Sequence, residues 1–156
     1  MSGYIRTIRK KVGHDPVLQC GASVILVAPD GRILLQLRRD CNMWGYHGGS
    51  VELDERVEAA AERELYEETG LRAVSLELFG VFSGPEMHFV YPNGDEVSNV
   101  DTVFVCRSYM GEVRMQESEV SSLEFFAPDE IPENIFLPNR PALRKYLQSL
   151  GVEPKF

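Results

Sequence analysis

The chain has 156 residues, of which 44% are hydrophobic and 26% are charged, which is typical of a folded globular protein and unlike a disordered chain. Its 24 acidic and 16 basic residues give a formal net charge of −8. No basic run is long enough to indicate duplex nucleic-acid binding, so we expect no nucleic-acid partner. An acidic protein that binds phosphate needs a local source of positive charge, and a divalent metal can supply it.

The length predicts a single domain over residues 1–156, with a short N-terminal extension over about residues 1–16. Cys20, Cys41 and Cys106 are odd in number and lack CxxC spacing, which argues against a disulfide framework or a zinc site. The N-terminus lacks the apolar segment of a signal peptide, and no apolar run approaches the roughly 20 residues that span a membrane. We therefore expect a cytoplasmic protein without a membrane partner.

In chain order, the hydrophobic pattern predicts strands at 23–28 and 32–37, a helix at about 55–69, strands at 74–82, 99–108 and 122–126, and a last helix at 140–148. The turn at residues 29–31 leads us to expect a hairpin of the first two strands, and residues 92–95 predict another hairpin tip. Asp54 is predicted as the N-cap of the first helix and Gly70 as its stop. Because strands and helices do not alternate regularly, we expect an α+β or sandwich fold.

The first predicted helix carries carboxylates on its apolar face. At about 100° per residue, Glu64 and Glu68 fall within about 20° of Val57, and Glu67 lies beside them. Like charges at these spacings repel, and partial burial increases the cost. A hard divalent cation with oxygen ligands, Mg²⁺ or Mn²⁺, would turn this repulsion into coordination. Two alternatives stay open, which are a solvated acidic face and an ion-pair network with Arg63.

The segment from Gly49 to Leu71 resembles the Nudix signature, GX5EX7REUXEEXGU, in which U is a bulky apolar residue. Every fixed position matches, and these positions are filled by Gly49, Glu55, Arg63, Glu64, Leu65, Glu67, Glu68, Gly70 and Leu71. The resemblance implies an α/β/α sandwich with a mixed β-sheet between helices. It also implies divalent-metal-dependent hydrolysis of a nucleoside diphosphate linked to another moiety, X, by water attacking a phosphorus.

The resemblance also implies roles for the residues of the signature. The implied metal ligands, for Mg²⁺ or Mn²⁺, are Glu64, Glu67, Glu68 and the carbonyl of Gly48. Glu64 and Glu67 are also implied in catalysis, and Arg63 is expected to orient Glu64 by a charge-assisted hydrogen bond. Glu55 is expected to brace the junction between loop and helix, and Gly49 and Gly70 to have structural roles. The resemblance leaves open which glutamate is the general base.

Other candidate residues lie outside the signature. Arg38 and Arg39 are interpreted as phosphate-binding residues, with exposed surface arginines as the alternative. Glu119 is expected to add an acid from the loop before the last strand, and Glu117 is the alternative. His47 stands where the family often has proline. It is interpreted as a substrate contact, as an acid–base group or as a loop histidine without catalytic duty.

The resemblance does not identify the substrate. ADP-ribose, a sugar nucleotide or a dinucleoside polyphosphate would each fit the family's general reaction. Two further hypotheses are the hydrolysis of damaged nucleoside triphosphates and a non-catalytic module that binds nucleotides for regulation. A homodimer is an expectation at the level of the family.

Overall fold

A computed structural model describes residues 3–156 of the chain. The helices and strands follow in the order α1 (Gly3–Val12), β1 (Val17–Leu26), β2 (Ile33–Arg38), β3 (Trp44–Gly45), β4 (His47–Ser50), α2 (Val57–Thr69), β5 (Arg72–Phe82), β6 (His88–Val90), β7 (Glu96–Met110), β8 (Val120–Phe126) and α3 (Arg140–Ser149). The sequence pattern therefore predicts the type of seven of these elements, although the ends of several strands differ.

The strands form two sheets. The larger sheet has the strand order β4-β1-β7-β5, and β6 pairs with the first three residues of β7. It is mixed, because β1 and β7 run parallel while β4, β5 and β6 pair antiparallel with their neighbours. The smaller sheet has the order β3-β2-β8 and is antiparallel.

Helices α2 and α3 cover opposite faces of β1, which confirms the sandwich. Ala22, Val24 and Leu26 of β1 pack in one buried cluster with the α2 residues Ala61 and Leu65. Residues of the other face pack with α3 in a second cluster, whose members include Ile25, Val27, Leu143, Tyr146 and Leu147. The small alanines of α2 bring this helix close to the sheet, so the acids that share its inner face also lie near the sheet.

The predicted hairpin of β1 with β2 is wrong. The turn forms, since the Gly31 N–H donates to the Ala28 carbonyl over 2.9 Å, but only the bridge between Val27 and Ile33 joins the two strands. β1 pairs with β4 and β7, whereas β2 pairs with β3 and β8. Both strands are apolar on both faces, so each becomes an interior strand with two neighbours of its own.

The predicted N-cap of α2 is also wrong. The N-cap is Arg56, and Asp54 instead takes a left-handed conformation with φ of 60° in the turn before the helix. Aspartate tolerates this conformation better than most residues, so the side chain that suggested a cap serves a turn. The predicted stop is confirmed, because Gly70 is left-handed and its N–H donates to the Tyr66 carbonyl over 2.8 Å.

Four elements of the structure have no counterpart in the predicted set, which are α1 and the short strands β3, β4 and β6. Helix α1 falls in the expected N-terminal extension, and its Ile5 is buried. Strand β4 includes Gly48 and Gly49, which have little intrinsic preference for a strand and are held there by pairing with β1. Within residues 3–156, none of the helices is long and apolar enough to cross a membrane.

Candidate active site

A cleft of about 920 Å³ lies where α2, β4, the end of β2 and the loop before β8 meet. Its volume is within the range of small-molecule sites, and it is large enough for a nucleotide. The predicted site residues on its walls are Arg38, Arg39, Gly48, Gly49, Arg63, Glu64, Glu67, Glu68 and Glu119. The fold therefore brings together residues that are distant in the sequence.

Glu68 is the most deeply buried acid of the cleft, with 5% of its surface exposed. Its Oε2 accepts a hydrogen bond from Gln36 Nε2 over 2.9 Å and one from the Gly48 N–H over 3.2 Å. Both donors are neutral, so they orient the carboxylate without cancelling its charge. A buried carboxylate that is held by neutral donors is suited to bind a cation.

Glu64 lies against the backbone of β4, and Gly49 makes this approach possible. A Cβ added to Gly49 would lie 2.5 Å from Glu64 Cδ, which is closer than any real contact. Burial and the neighbouring charge of Glu68 raise the pKa of Glu64 to about 7, although hydrogen bonding to Arg63 opposes the rise. A carboxyl with a pKa near neutrality can exchange a proton during a reaction.

Arg63 connects the acids of α2 to the preceding loop. Its guanidinium donates to both carboxylate oxygens of Glu55, over 2.8 and 3.0 Å, and to Glu64 Oε1 over 2.8 Å. Glu67 Oε2 lies 3.5 Å from the same guanidinium and is about half exposed at the rim of the cleft. Glu55 also accepts the Glu52 N–H over 2.9 Å, so it links the loop to the helix. Among the described residues, Arg63 therefore pairs with three glutamates, and Glu68 is not one of them.

The donor set fits a hard divalent cation. The candidate ligands are carboxylate and backbone oxygens, which Mg²⁺ and Mn²⁺ prefer. The repulsion between Glu64 and Glu68 that contributes to the raised pKa of Glu64 would be relieved by a cation between them. Over residues 3–156, no three His, Cys, Asp or Glu side chains converge closely enough to hold an ion as they stand. Binding would therefore require these carboxylates to move closer together.

The two candidate phosphate-binding arginines are held differently. Arg38 forms an ion pair with Asp40 at 2.7 Å and stacks over the Phe136 ring at 4.2 Å. Burial lowers the pKa of Arg38, but the hydrogen bond to Asp40 and the nearby Asp40, Tyr91 and Cys41 together outweigh this effect and leave the pKa above its ordinary value. Arg39 donates through Nε to the Glu117 carbonyl over 2.6 Å. Both line the cleft, and Arg39 is also exposed to solvent.

The loop before β8 delivers one of its two candidate acids to the cleft. Glu119 is part of the cleft wall, and the Arg39 N–H donates to the Glu119 carbonyl over 3.0 Å. Glu117 is absent from the wall and contributes its backbone carbonyl to hold Arg39. This geometry favours Glu119 over Glu117.

His47 lies in a strand and not in the loop that the sequence led us to expect. It lies in β4, and its side chain is fully buried. Its Nε2 lies 3.0 Å from the Leu34 carbonyl, which can only accept, so Nε2 carries a proton. Its Nδ1 lies 3.5 Å from Glu68 Oε2. The imidazole therefore stands behind Glu68, and it has no exposed surface with which to touch a substrate.

A buried polar cluster next to the paired glycines was not predicted from the sequence. The hydroxyls of Ser23 and Tyr46 donate to the Asp101 carboxylate over 2.8 and 3.3 Å. Burial raises the pKa of Asp101 to about 6. Asp101 interrupts the apolar pattern of its strand, and this interruption is the sequence feature that could have predicted the cluster. Gln36, which holds Glu68, similarly interrupts the apolar run of β2.

The fold, with a carboxylate-bearing helix packed on a mixed sheet, is that of a class of hydrolases that act on phosphate anhydrides. Residues 17–149 match the NUDIX domain family, and the chain therefore belongs to the Nudix family of pyrophosphohydrolases.

Known proteins of this family resemble the chain over most of its length. A MutT-like protein of Streptomyces ambofaciens is 32% identical over 120 residues, which cover 77% of this chain and 71% of the relative. A putative 8-oxo-dGTP diphosphatase of Bacillus subtilis is 32% identical over 120 residues, covering 77% of this chain and 73% of the relative. The crystal structure of a MutT Nudix hydrolase from Burkholderia pseudomallei superposes with a TM-score of 0.70 at 30% identity, covering 81% of this chain and 96% of that one.

Proposed function

We propose that the protein hydrolyses a pyrophosphate bond in a nucleoside diphosphate linked to another moiety, with Mg²⁺ or Mn²⁺ as its cofactor. The observation that carries the proposal is one cleft that contains Glu64 and Glu68 together with Arg38 and Arg39. Pyrophosphate is a polyanion and a poor electrophile, so its hydrolysis needs both neutralisation of charge and an activated water. The acids and the arginines supply the groups for these two tasks.

Glu68, Glu64 and Glu67 are the side chains that would hold the metal, and the Gly48 carbonyl is the proposed backbone ligand. In an extended strand, the N–H and C=O of one residue point to the same side. Because the Gly48 N–H points to Glu68, we expect its carbonyl to face the same acids. A bound divalent ion would neutralise the charge of the pyrophosphate and make water a usable nucleophile near neutral pH.

Glu64 is the proposed acceptor for the proton of the attacking water. Arg63 fixes its carboxyl in position by a hydrogen bond of 2.8 Å, and the carboxyl lies in the cleft beside the other acids of α2. Glu119 is the alternative, because it enters the same cleft from the loop before β8. Arg38 and Arg39 are proposed to bind the phosphates, and the bidentate geometry of guanidinium suits this role.

A second candidate substrate class is an oxidised nucleoside triphosphate. The relative in Bacillus subtilis is named a putative 8-oxo-dGTP diphosphatase, and this name favours the house-cleaning alternative. A regulatory module without catalysis is the weaker alternative, because such a module would be expected to lose acids of the signature and this chain keeps all of them.

A substrate panel tests the proposal. It contains ADP-ribose, sugar nucleotides, dinucleoside polyphosphates, and oxidised and normal nucleoside triphosphates, each assayed with Mg²⁺, with Mn²⁺ and with EDTA. We expect metal-dependent turnover of at least one class, and the class that turns over fastest decides between the two candidates. Tight nucleotide binding without hydrolysis in excess metal would instead support the regulatory module.

The assembly and location of the protein remain proposals as well. We propose one domain over residues 1–156, a homodimer and a cytoplasmic location. Light scattering coupled to size-exclusion chromatography measures the mass in solution, and a mass near 17.6 kDa would contradict the homodimer.

A further inference from the structure

Helix α1 lies outside the segment that matches the Nudix family, yet it forms part of the wall of the active-site cleft. The matching segment begins at residue 17, whereas α1 ends at Val12. The cleft that contains the acids is also lined by four residues of α1, which are Gly3, Ile5, Arg6 and Arg9. The shape and charge of the site therefore depend partly on an element that the family match does not include.

The first turn of α1 is held by the loop between β4 and α2. The N–H groups of Gly3 and Tyr4 donate to the two carboxylate oxygens of Glu52, over 2.8 and 3.0 Å. Glu52 itself donates its N–H to Glu55, which pairs with Arg63. The start of α1 is thus connected to the network that positions Glu64.

The other end of α1 is fixed by Arg9. Its guanidinium donates to the carbonyls of Gly13, Asp15 and Glu96, over 3.1, 2.7 and 2.6 Å. Its Nε lies 3.8 Å from Asp95 Oδ1, and only 9% of the side chain is exposed. Because Arg9 makes these contacts inside the protein, its main contribution is to hold α1 against the start of β7.

Arg6 is an exposed basic residue of α1 that, like Arg9, forms part of the cleft wall. It lies three residues before Arg9 and next to buried Ile5, so all three share one side of α1. The chain is strongly acidic, and the cleft already concentrates Glu64, Glu67 and Glu68. A cation on the wall of such a cleft suits an anionic ligand, because the ligand is attracted to the cation and to a metal held by the acids.

We propose that α1 is a substrate-binding wall and that Arg6 is a specificity-determining residue, whose guanidinium binds an anionic group of the nucleotide substrate. This inference rests on the proposed function, since it requires a phosphate-bearing substrate in the cleft. It predicts a preference for substrates with an additional negative group beyond the scissile pyrophosphate. The Arg6 contact is charge-assisted, so its contribution to affinity decreases with rising salt.

Calorimetry with α,β-methylene-ATP tests this proposal without requiring hydrolysis. We expect Arg6→Gln to raise the Kd about tenfold, as the loss of one charge-assisted contact at an accessible position predicts. Arg6→Lys keeps the charge and should recover part of the affinity. The matched control is Lys10→Gln, which removes the same charge from an exposed position of the same helix outside the cleft wall, and it should bind like the wild type. The Arg6 effect should shrink between about 0.05 M and about 0.5 M NaCl.

Steady-state kinetics on the best substrate of the panel supply the second measurement. Arg6→Gln should raise KM far more than it lowers kcat, because Arg6 lies on the wall and not among the acids. The proposal would be overturned if Arg6→Gln and Lys10→Gln had the same Kd for α,β-methylene-ATP and the same KM for the substrate. It would also be overturned if the wild-type protein did not bind α,β-methylene-ATP. Arg6-dependent binding without turnover of any substrate would instead overturn the proposed catalysis and support the binding wall.

Discussion

Replacing Gly49 by alanine tests whether this glycine makes room for the Glu64 carboxyl. The new Cβ would lie 2.5 Å from Glu64 Cδ and Oε1, and 2.8 Å from Oε2. Non-bonded atoms of this kind need a separation of roughly 3.5 Å, so the carboxyl must retreat by about 1 Å. The backbone of Gly49 is not left-handed, so the contact with Glu64 is the main obstacle to the alanine.

A displacement of about 1 Å in a catalytic group lowers the rate on the order of 10²-fold. The retreat also weakens the 2.8 Å hydrogen bond between Arg63 and Glu64. We expect the free energy of unfolding to fall by only about 1–2 kcal/mol, because the carboxyl is the end of a flexible side chain and can move. Gly49→Ala should therefore lose much more activity than stability.

Gly31→Ala is the control for this experiment. Gly31 has a left-handed φ of 88°, a Cβ there would meet no atom within 4 Å, and the residue lies outside the cleft wall. Alanine in this conformation costs about 1–2 kcal/mol of stability and should leave kcat unchanged. Urea denaturation and steady-state hydrolysis are measured for both variants. A kcat for Gly49→Ala within about twofold of that for Gly31→Ala would refute the proposed role of Gly49.

Three further predictions concern single side chains. Glu64→Gln should lower kcat by about 10² to 10⁴ if Glu64 accepts the proton, and circular dichroism should remain that of the wild type; nearly normal turnover would transfer this role to Glu119. Arg63→Lys should lose the bidentate contact with Glu55 and destabilise the fold by about 1–2 kcal/mol in urea, so an unchanged midpoint would contradict the bracing role. Burial raises the pKa of Asp101 in the folded state to about 6, above its ordinary 3.8. Between these two pH values the folded protein keeps a proton that the unfolded chain has lost, so the free energy of unfolding falls as the pH rises. In the wild type this fall in the free energy of unfolding is on the order of 3 kcal/mol, and Asp101→Asn should remove it. Equal pH dependence of urea unfolding in the wild type and the variant would contradict this prediction.

The sequence predicts the features of the site that depend on local periodicity. Glu64 and Glu68 fall on the inner face of α2 because helical geometry is regular, and Glu68 is indeed buried. The stop at Gly70 is equally local, because it depends on the conformational freedom of one glycine.

The features that were missed depend on contacts between distant segments. Gln36 holds Glu68 across 32 residues of sequence, and β4 exists because β1 pairs with it. His47 was assigned to a loop for the same reason, since no local pattern shows that its neighbours Gly48 and Gly49 enter a sheet. Helix α1 did carry a local signal, because Ile5 and Ile8 are spaced as on one side of a helix.

Hydrolysis of the nucleotide panel by wild-type and Glu68→Gln protein, in Mg²⁺ and in EDTA, tests most directly whether the acids of α2 hold a catalytic metal. The two proteins are first matched by circular dichroism and by their urea midpoints. We expect the wild type to turn over at least one substrate only with metal, and Glu68→Gln to lower kcat/KM by orders of magnitude. Turnover that persists in EDTA, or nearly normal activity of Glu68→Gln, would contradict a metal-dependent reaction at this helix.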